Sequence, residues 1–313
     1  LEHMGLRVVD EHSFRISPSN SDGRSVMIQD FGLKTRSGAS VNLENVSQNF
    51  QDTFIRTWTG EVESDGFNAL VLQAGVAWRE VIVLRSYSKY LRQAGIAFSQ
   101  AYMEQTLANN PKLARLIVDL FSNLFDPLLA KTSEKKCADI RRKLRDGLNS
   151  VTSADEDRII SRFINAVDST LRTNFYQTQS GGQAKGYASF KLDSKNIDEL
   201  PLPRPLREIF VYSPRIEGVH LRFGLVARGG LRWSDRMEDF RTEVLGLVKA
   251  QQVKNAVIVP VGSKGGFVVK QPPVIGGREA FIEEGIACYK TFISGLLDIT
   301  DNLDGNKVVP PVD

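Results

Sequence analysis

The sequence contains only two cysteines, which lie far apart at Cys137 and Cys288. Neither has another cysteine or a histidine at the short spacing that a metal site requires, so we expect no bound metal. Disulfide-stapled proteins need more cysteines than this, and reduced thiols are typical of the cytoplasm. The low cysteine content therefore favours a cytoplasmic protein.

Long apolar runs and a strong charge excess are also missing. No run reaches the roughly 18 apolar residues of a membrane span, and the N-terminus lacks the pattern of a signal peptide. The formal net charge of +3 is too small to indicate nucleic-acid binding. The aromatic and basic residues of Trp78–Arg92 recur at helical spacing beside apolar residues, which favours packing over base stacking. We therefore expect neither a membrane nor a nucleic acid as a partner.

The hydrophobic periodicity changes along the chain. Residues 1–43 alternate as strands do, and residues 44–176 repeat apolar positions every three or four residues, as helices do. Residues 177–205 form a polar, proline-rich connector, and residues 206–313 mix strand and helix patterns. We predict an α+β protein with a β-rich N-terminal remnant, a predominantly helical middle domain acting as a scaffold, an α/β C-terminal part and no complete Rossmann domain.

The helical region divides at glycines, prolines and asparagines into separate segments. Pro111 suits the first turn of its helix, and Ser153 can cap the last one. The predicted helices are Val46–Trp58, Asp65–Ala74, Trp78–Gln93, Phe98–Ala108, Pro111–Phe125, Lys131–Asn149 and Ala154–Asn174.

The stretch from Leu221 to Lys270 carries nine Lys or Arg against four acids, so the positive charge is concentrated there. Its pattern predicts a strand, a turn at Gly229-Gly230, a helix capped by Asp235 and Glu238, a strand, a second glycine turn and a final strand. The helix has an apolar stripe formed by Phe240, Val244, Leu247 and Val248.

The same stripe becomes polar where the helix ends. Helical spacing continues it to Gln251 and Lys254, which either bind a ligand or simply lie at the surface, where Lys254 complements the helix dipole. Beyond the apolar strand Ala256–Val261, the segment Gly262–Gly266 places Lys264 among glycines. Such a segment can approach an anion closely, although an ordinary surface turn has the same composition. The spacing and the missing helix exclude a nucleoside-triphosphate P-loop.

The order of these motifs resembles a known family. RGGLR at Arg228–Arg232, QQVK at Gln251–Lys254 and PVGSKGG at Pro260–Gly266 are similar to the glutamate dehydrogenase group of amino-acid dehydrogenases. The uninterrupted amino-acid sequence of the stretch is most similar to that of the large bacterial NAD-dependent glutamate dehydrogenases. This resemblance implies that residues 1–43 end an ACT-like regulatory module and that residues 206–313 are part of a substrate domain.

The resemblance also implies roles for individual residues. Lys264 matches the catalytic lysine, and Gln251 and Lys254 match the pair that holds the α-carboxylate. Arg228 stands where small family members have a lysine for the side-chain carboxylate, and an arginine fork keeps that contact possible. Gly229 and Gly230 shape the substrate turn. Gly262, Gly265 and Gly266 support the lysine loop.

The implied reaction converts L-glutamate, NAD and water into 2-oxoglutarate, ammonium and NADH. Nothing in the sequence matches the strand–G-x-G-x-x-G–helix fingerprint of a dinucleotide site. We therefore expect NAD to be bound by a domain beyond Asp313, the chain alone to be inactive and the full-length enzyme to be a homo-oligomer, a tetramer by resemblance. The start at Leu1 is consistent with a piece of a longer protein.

Other interpretations stay open. A dehydrogenase for an apolar amino acid would not want Arg228 in its side-chain pocket. A non-catalytic regulatory or assembly module would bind an amino-acid effector at its β-rich start and keep the basic segment without a catalytic role.

Overall fold

A computed structural model describes residues 1–17, 25–38, 41–129, 133–224, 229–255 and 262–311, without the side chains of residues 43, 45, 133 and 251–255. The described residues form an α+β fold, as the sequence predicts. An N-terminal hairpin precedes a group of helices, and these helices pack against a six-stranded sheet.

The hairpin consists of β1 (Leu6–Ile16) and β2 (Val26–Thr35). The strands are antiparallel, with Leu6 opposite Thr35 and Ile16 opposite Val26, and the register shifts near Asp10. Within these two strands only Leu6 is buried.

The helical region follows, and local sequence signals set its boundaries. Asn42 caps the first helix by accepting a hydrogen bond from the Glu44 amide at 3.0 Å, and Pro111 begins the fifth. Ser153 caps the seventh through the Glu156 amide at 3.3 Å. The helices are α1 Leu43–Trp58, α2 Leu70–Gln73, α3 Trp78–Gln93, α4 Gln100–Asn109, α5 Pro111–Phe125, α6 Ser133–Leu148 and α7 Ala154–Asp168.

The larger sheet has the strand order β3-β4-β5-β6-β8-β7, and only the β7–β8 pair is parallel. Its strands are β3 Thr170–Thr173, β4 Ala188–Leu192, β5 Arg207–Tyr212, β6 Ile216–Arg222, β7 Leu231–Ser234 and β8 Ser263–Val269. Two helices belong to this part, α8 Phe240–Asn255 and α9 Gly277–Leu297. A small hairpin, β9 Asn302–Asp304 and β10 Lys307–Val309, ends the described chain.

Helices cover both faces of the sheet. Successive side chains of a strand point to opposite faces and therefore enter two different cores. Phe210 and Val268 belong to a core shared with the helical region and α8. Their neighbours Val211 and Phe267 belong to a second core with α9. The helices are therefore one layer of the same folded unit as the sheet.

The structure corrects several predicted boundaries. The helix predicted over Asp65–Ala74 is α-helical only over Leu70–Gln73 and is preceded by a 3-10 helix at Gly66–Ala69. The helix predicted to reach Asn174 ends at Asp168, because Thr170–Thr173 pairs with β4 as strand β3. The helix predicted to be capped by Asp235 and Glu238 begins at Phe240, and β7 occupies part of the preceding segment. The predicted apolar stripe of α8 is buried at Phe240, Val244 and Val248, whereas Leu247 is exposed.

The predicted glycine turn around Lys264 is also wrong. Residues Ser263–Gly266 are the first part of strand β8, paired with β6 on one side and, at Gly265 and Gly266, with β7 on the other. The predicted strand Ala256–Val261 lies outside the described residues. Among the helices that are described, none is both long enough and apolar enough to cross a membrane.

Candidate functional site

Lys264 is the second residue of strand β8, and β8 lies between strands β6 and β7 in the sheet. Its partner across β6 is Leu221, and the next residue, Gly265, is paired with Leu231 of β7. The Gly265 amide donates a hydrogen bond to the Gly230 carbonyl at 3.3 Å. Lys264 is half-buried, and its Nζ lies 3.9 Å from the point where a Cβ at Gly230 would stand. The lysine is therefore next to the glycine pair, although 34 residues separate Lys264 and Gly230 in the numbering.

The contact between these two segments depends on the absence of a side chain at Gly229. A Cβ there would lie 1.5 Å from the Ser263 carbonyl oxygen, far inside any allowed contact with backbone. Gly229 is not among the described glycines with positive φ. Close approach, rather than a special backbone conformation, therefore explains why glycine is needed here.

Gly265 and Gly266 serve packing in the same way. A Cβ on Gly265 would lie 2.4 Å from Leu231 Cδ2, and one on Gly266 would lie 2.6 Å from Val244 Cγ2 of α8. The Gly262 carbonyl accepts a hydrogen bond from the Phe223 amide at 3.2 Å. These glycines let β7 and α8 come close to the strand that carries Lys264.

Helix α8 is fixed to the neighbouring strand by Glu243. The Ser234 hydroxyl donates to Glu243 Oε2 at 2.5 Å, and Arg232 Nε forms an ion pair with Glu243 Oε1 at 2.6 Å. Arg232, one of the cations of the basic stretch, is therefore paired with a carboxylate. The backbone of α8 continues to Asn255 and so includes Gln251 and Lys254.

The structure describes part of the predicted site. It brings Lys264, Gly229 and Gly230 together. Arg228 lies outside the described residues, and the side chains of Gln251 and Lys254 are not described. The roles assigned to all these residues stay predictions.

A buried ion pair beside the site is not evident from the sequence. Arg241, in the first turn of α8, makes two hydrogen bonds to Glu208 of β5, at 2.9 Å and 2.5 Å, and both side chains are almost wholly buried. Burial acts to lower the pKa of Arg241, but the Glu208 carboxylate outweighs it and raises that pKa. The pair holds α8 against the centre of the sheet.

Two residues of α3 complete this arrangement. Tyr90 Oη donates to Glu208 at 3.3 Å, and burial together with the Glu208 carboxylate places the pKa of Tyr90 well above its usual value. The Gln93 side chain accepts from the Arg241 amide at 3.2 Å and donates to the Met237 carbonyl at 3.0 Å. The helical region thus contacts the start of the helix that leads to Gln251 and Lys254. The sequence hints at this buried pair only through Arg241, a charged residue that directly follows Phe240 of the buried stripe.

His220 lies on β6 directly opposite Gly265. Burial, with a smaller contribution from Arg222, lowers the pKa of His220 to about 4. The imidazole is therefore neutral near pH 7. Within the described part of the chain, no three His, Cys, Asp or Glu residues are grouped as a metal site would require.

Three known protein families match parts of the chain. Residues 143–313 match the bacterial NAD-glutamate dehydrogenase catalytic domain. Residues 62–127 match the glutamate dehydrogenase helical motif 3, and residues 1–46 match the glutamate dehydrogenase ACT3 domain.

Curated proteins similar to this chain include NAD-specific glutamate dehydrogenases. The chain is 51% identical over 99% of its length to the NAD-specific glutamate dehydrogenase of Pseudomonas aeruginosa and 48% identical over its whole length to that of Halomonas elongata. It is 48% identical over 97% of its length to that of Mycobacterium tuberculosis. The chain spans about a fifth of these relatives, 19% of each. Since the catalytic-domain match covers more than half of the chain and includes the Lys264 strand, the chain belongs to the bacterial NAD-glutamate dehydrogenase family.

Proposed function

We propose that this chain supplies the glutamate-binding side of an NAD-dependent glutamate dehydrogenase. The overall reaction is L-glutamate + NAD + water to 2-oxoglutarate + ammonium + NADH. The observation that carries the proposal is the contact of Gly229 and Gly230 with the strand that presents Lys264, in a chain of this family. The adjoining pair, Leu231 opposite Gly265, and the hydrogen bond from the Gly265 amide to the Gly230 carbonyl support this placement of the glycine pair.

The substrate chemistry requires several separate contacts. Glutamate and 2-oxoglutarate carry two carboxylates, and a fixed arginine fork suits the distal one, the role we assign to Arg228. Gln251 and Lys254 would bind the α-carboxylate from the end of α8. Lys264 would lie beside the reacting carbon. Its neutral amine would accept a proton from the water that attacks the substrate's iminium carbon, and the ammonium group so formed would then donate a hydrogen bond to the new oxygen.

The oxidant is NAD, which accepts the hydride from the α-carbon when it is bound. The described residues contain no strand and helix joined by the glycine-rich fingerprint of a dinucleotide site. We therefore assign no NAD contact to this chain and propose that other residues of the full-length enzyme bind it.

The decisive test is Lys264→Ala in the full-length enzyme. We expect kcat for glutamate oxidation to fall at least about 10³-fold, because the variant loses both the charge and the proton acceptor at the reacting carbon. NADH formation at saturating glutamate measures the effect. Lys290→Ala, on the exposed surface of α9, is the matched control and should retain the wild-type rate. A Lys264→Ala enzyme with a near-normal rate would remove Lys264 from this role.

We propose further that the full-length enzyme is a homo-oligomer in the cytoplasm. The two cysteines are free and buried, which is compatible with a reducing compartment. Light scattering after size-exclusion chromatography would establish the oligomeric state. A monomeric mass at working concentration would contradict the proposal.

A further inference from the structure

A cavity lies apart from the Lys264 strand. Its volume is about 760 Å³, which is within the range of small-molecule sites. The walls come from the end of α1, the start of α3, the segment 183–188 that precedes and begins β4, and the turn between β5 and β6. None of the residues assigned to the glutamate site lines it.

The lining is rich in cations. Arg56, Arg79, Lys185 and Arg215 line the cavity, and Glu61 is the one carboxylate among its described lining residues. Most of these cations already have a carboxylate partner. Arg56 pairs with Glu61 at 2.5 Å, Lys185 with Asp298 at 2.6 Å and Arg215 with Glu284 at 2.5 Å.

Arg79 differs from the other three cations. Throughout the described ranges, no carboxylate lies within ion-pair distance of its guanidinium. The group donates to the Phe175 carbonyl and stacks on the Phe175 ring, with its central carbon 4.7 Å from the ring centroid. Burial lowers the pKa of Arg79, and the smaller opposing effect of Tyr176 does not cancel that shift. A guanidinium has five N–H donors, and among the described residues the Phe175 carbonyl accepts from this one, so most of its hydrogen-bonding capacity is open to a ligand.

We propose that this cavity binds a small anion with carboxylate or phosphate oxygens, and that Arg79 makes the main contact with it. The planar fork of Arg79 matches either oxygen pair, and the Phe175 contacts hold it in place before binding. The other three cations of the lining already hold carboxylates, so Arg79 is the cation that a bound anion would meet.

The aromatic side chains narrow the class of ligand. Arg56 covers the Trp78 ring at 4.2 Å, Arg79 covers Phe175, and Lys185 lies 5.9 Å from the centroid of Tyr187. Each ring therefore already has a cation over it. Recognition should depend on the anionic groups of the ligand and not on an aromatic ring.

Hydrogen exchange in the full-length protein tests this inference without relying on activity. Pyrophosphate and succinate are titrated separately, and exchange is followed by mass spectrometry in peptides spanning residues 77–83 and 183–188. We expect at least one anion to slow exchange in both peptides. Protection by pyrophosphate alone indicates a phosphate ligand, and protection by succinate alone indicates a dicarboxylate.

Substitution of Arg79 tests whether the slower hydrogen exchange comes from an anion bound in this cavity. Arg79→Gln should weaken the apparent affinity at least tenfold, and Arg79→Lys should weaken it less. Arg158→Gln, on the exposed side of α7, is the matched control and should bind as the wild type does. If Arg79→Gln does not fold, Arg79→Lys alone gives the comparison. The proposal is overturned if neither anion protects these peptides or if the Arg79 variants bind with wild-type affinity.

Discussion

The N-terminal hairpin and the six-stranded sheet are both held by hydrogen bonds between the backbones of paired strands, but they differ in what they bury. In the hairpin, Phe14 and Met27 are each 55% exposed. In the sheet, Phe210 and Phe267 are at most 2% exposed because helices cover both faces. Backbone pairing therefore defines both elements, while side-chain burial stabilises only one of them.

The strongest way to test this difference is to remove one phenylalanine from each element. Phe210→Ala should lower the free energy of unfolding by about 3–5 kcal/mol, because it leaves a cavity between α3 and the sheet. Phe14→Ala on the hairpin should change it by no more than about 0.5 kcal/mol. Urea denaturation followed by circular dichroism measures both. Equal losses would mean that the exposed hairpin face is covered in solution.

The buried ion pair extends the comparison from apolar to charged contacts. Arg241→Met should cost about 3–5 kcal/mol, since it leaves the Glu208 carboxylate buried without its partner. Glu208→Gln added to Arg241→Met should recover part of that loss, because the buried charge is then removed as well.

An exposed pair on α6 is the control for this experiment. Breaking the Arg142–Asp139 contact with Arg142→Met should lower the stability far less, because water screens both exposed side chains. Denaturation midpoints of the variants give the comparison. A cost for Arg241→Met as small as that of the exposed pair would show that water reaches Glu208.

The pH dependence of stability gives a smaller effect within the sheet. In the folded protein the pKa of His220 is about 4, below the 6.5 expected after unfolding, so protons bind preferentially to the unfolded chain. His220 therefore costs little at pH 7 and above, and it destabilises the fold increasingly as the pH falls through 6.5 towards 4. At 1.36 kcal/mol per pKa unit, this amounts to about 2 kcal/mol between pH 7 and pH 5.

His220→Gln should make this pH dependence flatter. The variant lacks the titrating group, so its loss of stability between pH 7 and pH 5 should be about 2 kcal/mol smaller than in the wild type. Chemical denaturation at the two pH values measures the difference. Parallel pH profiles for the two proteins would contradict the burial of a neutral His220.

The sequence predicted best those elements that are set by local signals. Helices α3 and α5 begin and end at the predicted residues, because apolar spacing, Pro111 and the asparagines and glycines at the breaks act within a few positions. The end of α7 was mispredicted because Thr170–Thr173 pairs with a strand farther along the chain. A single sequence shows no local sign of that pairing.

The candidate site shows the same limit. The glycines around Lys264 suggested a turn, but the structure uses them for close contact with Leu231 and Val244, which come from other elements. The Glu208–Arg241 pair contradicts the usual exclusion of charge from a core, so no pattern rule predicts it. The roles of Arg228, Gln251 and Lys254 remain predictions from family resemblance.

The core shared by the helical region and the sheet affects how the protein can be divided. The catalytic-domain match begins at residue 143, whereas Tyr87 and Phe121 of the preceding helices pack directly on Phe190 in that domain. Cutting the chain there would expose this aromatic cluster to water on both pieces. The helical motif and the catalytic sheet should therefore melt in one cooperative transition, and a boundary drawn from sequence families need not mark a piece that folds alone.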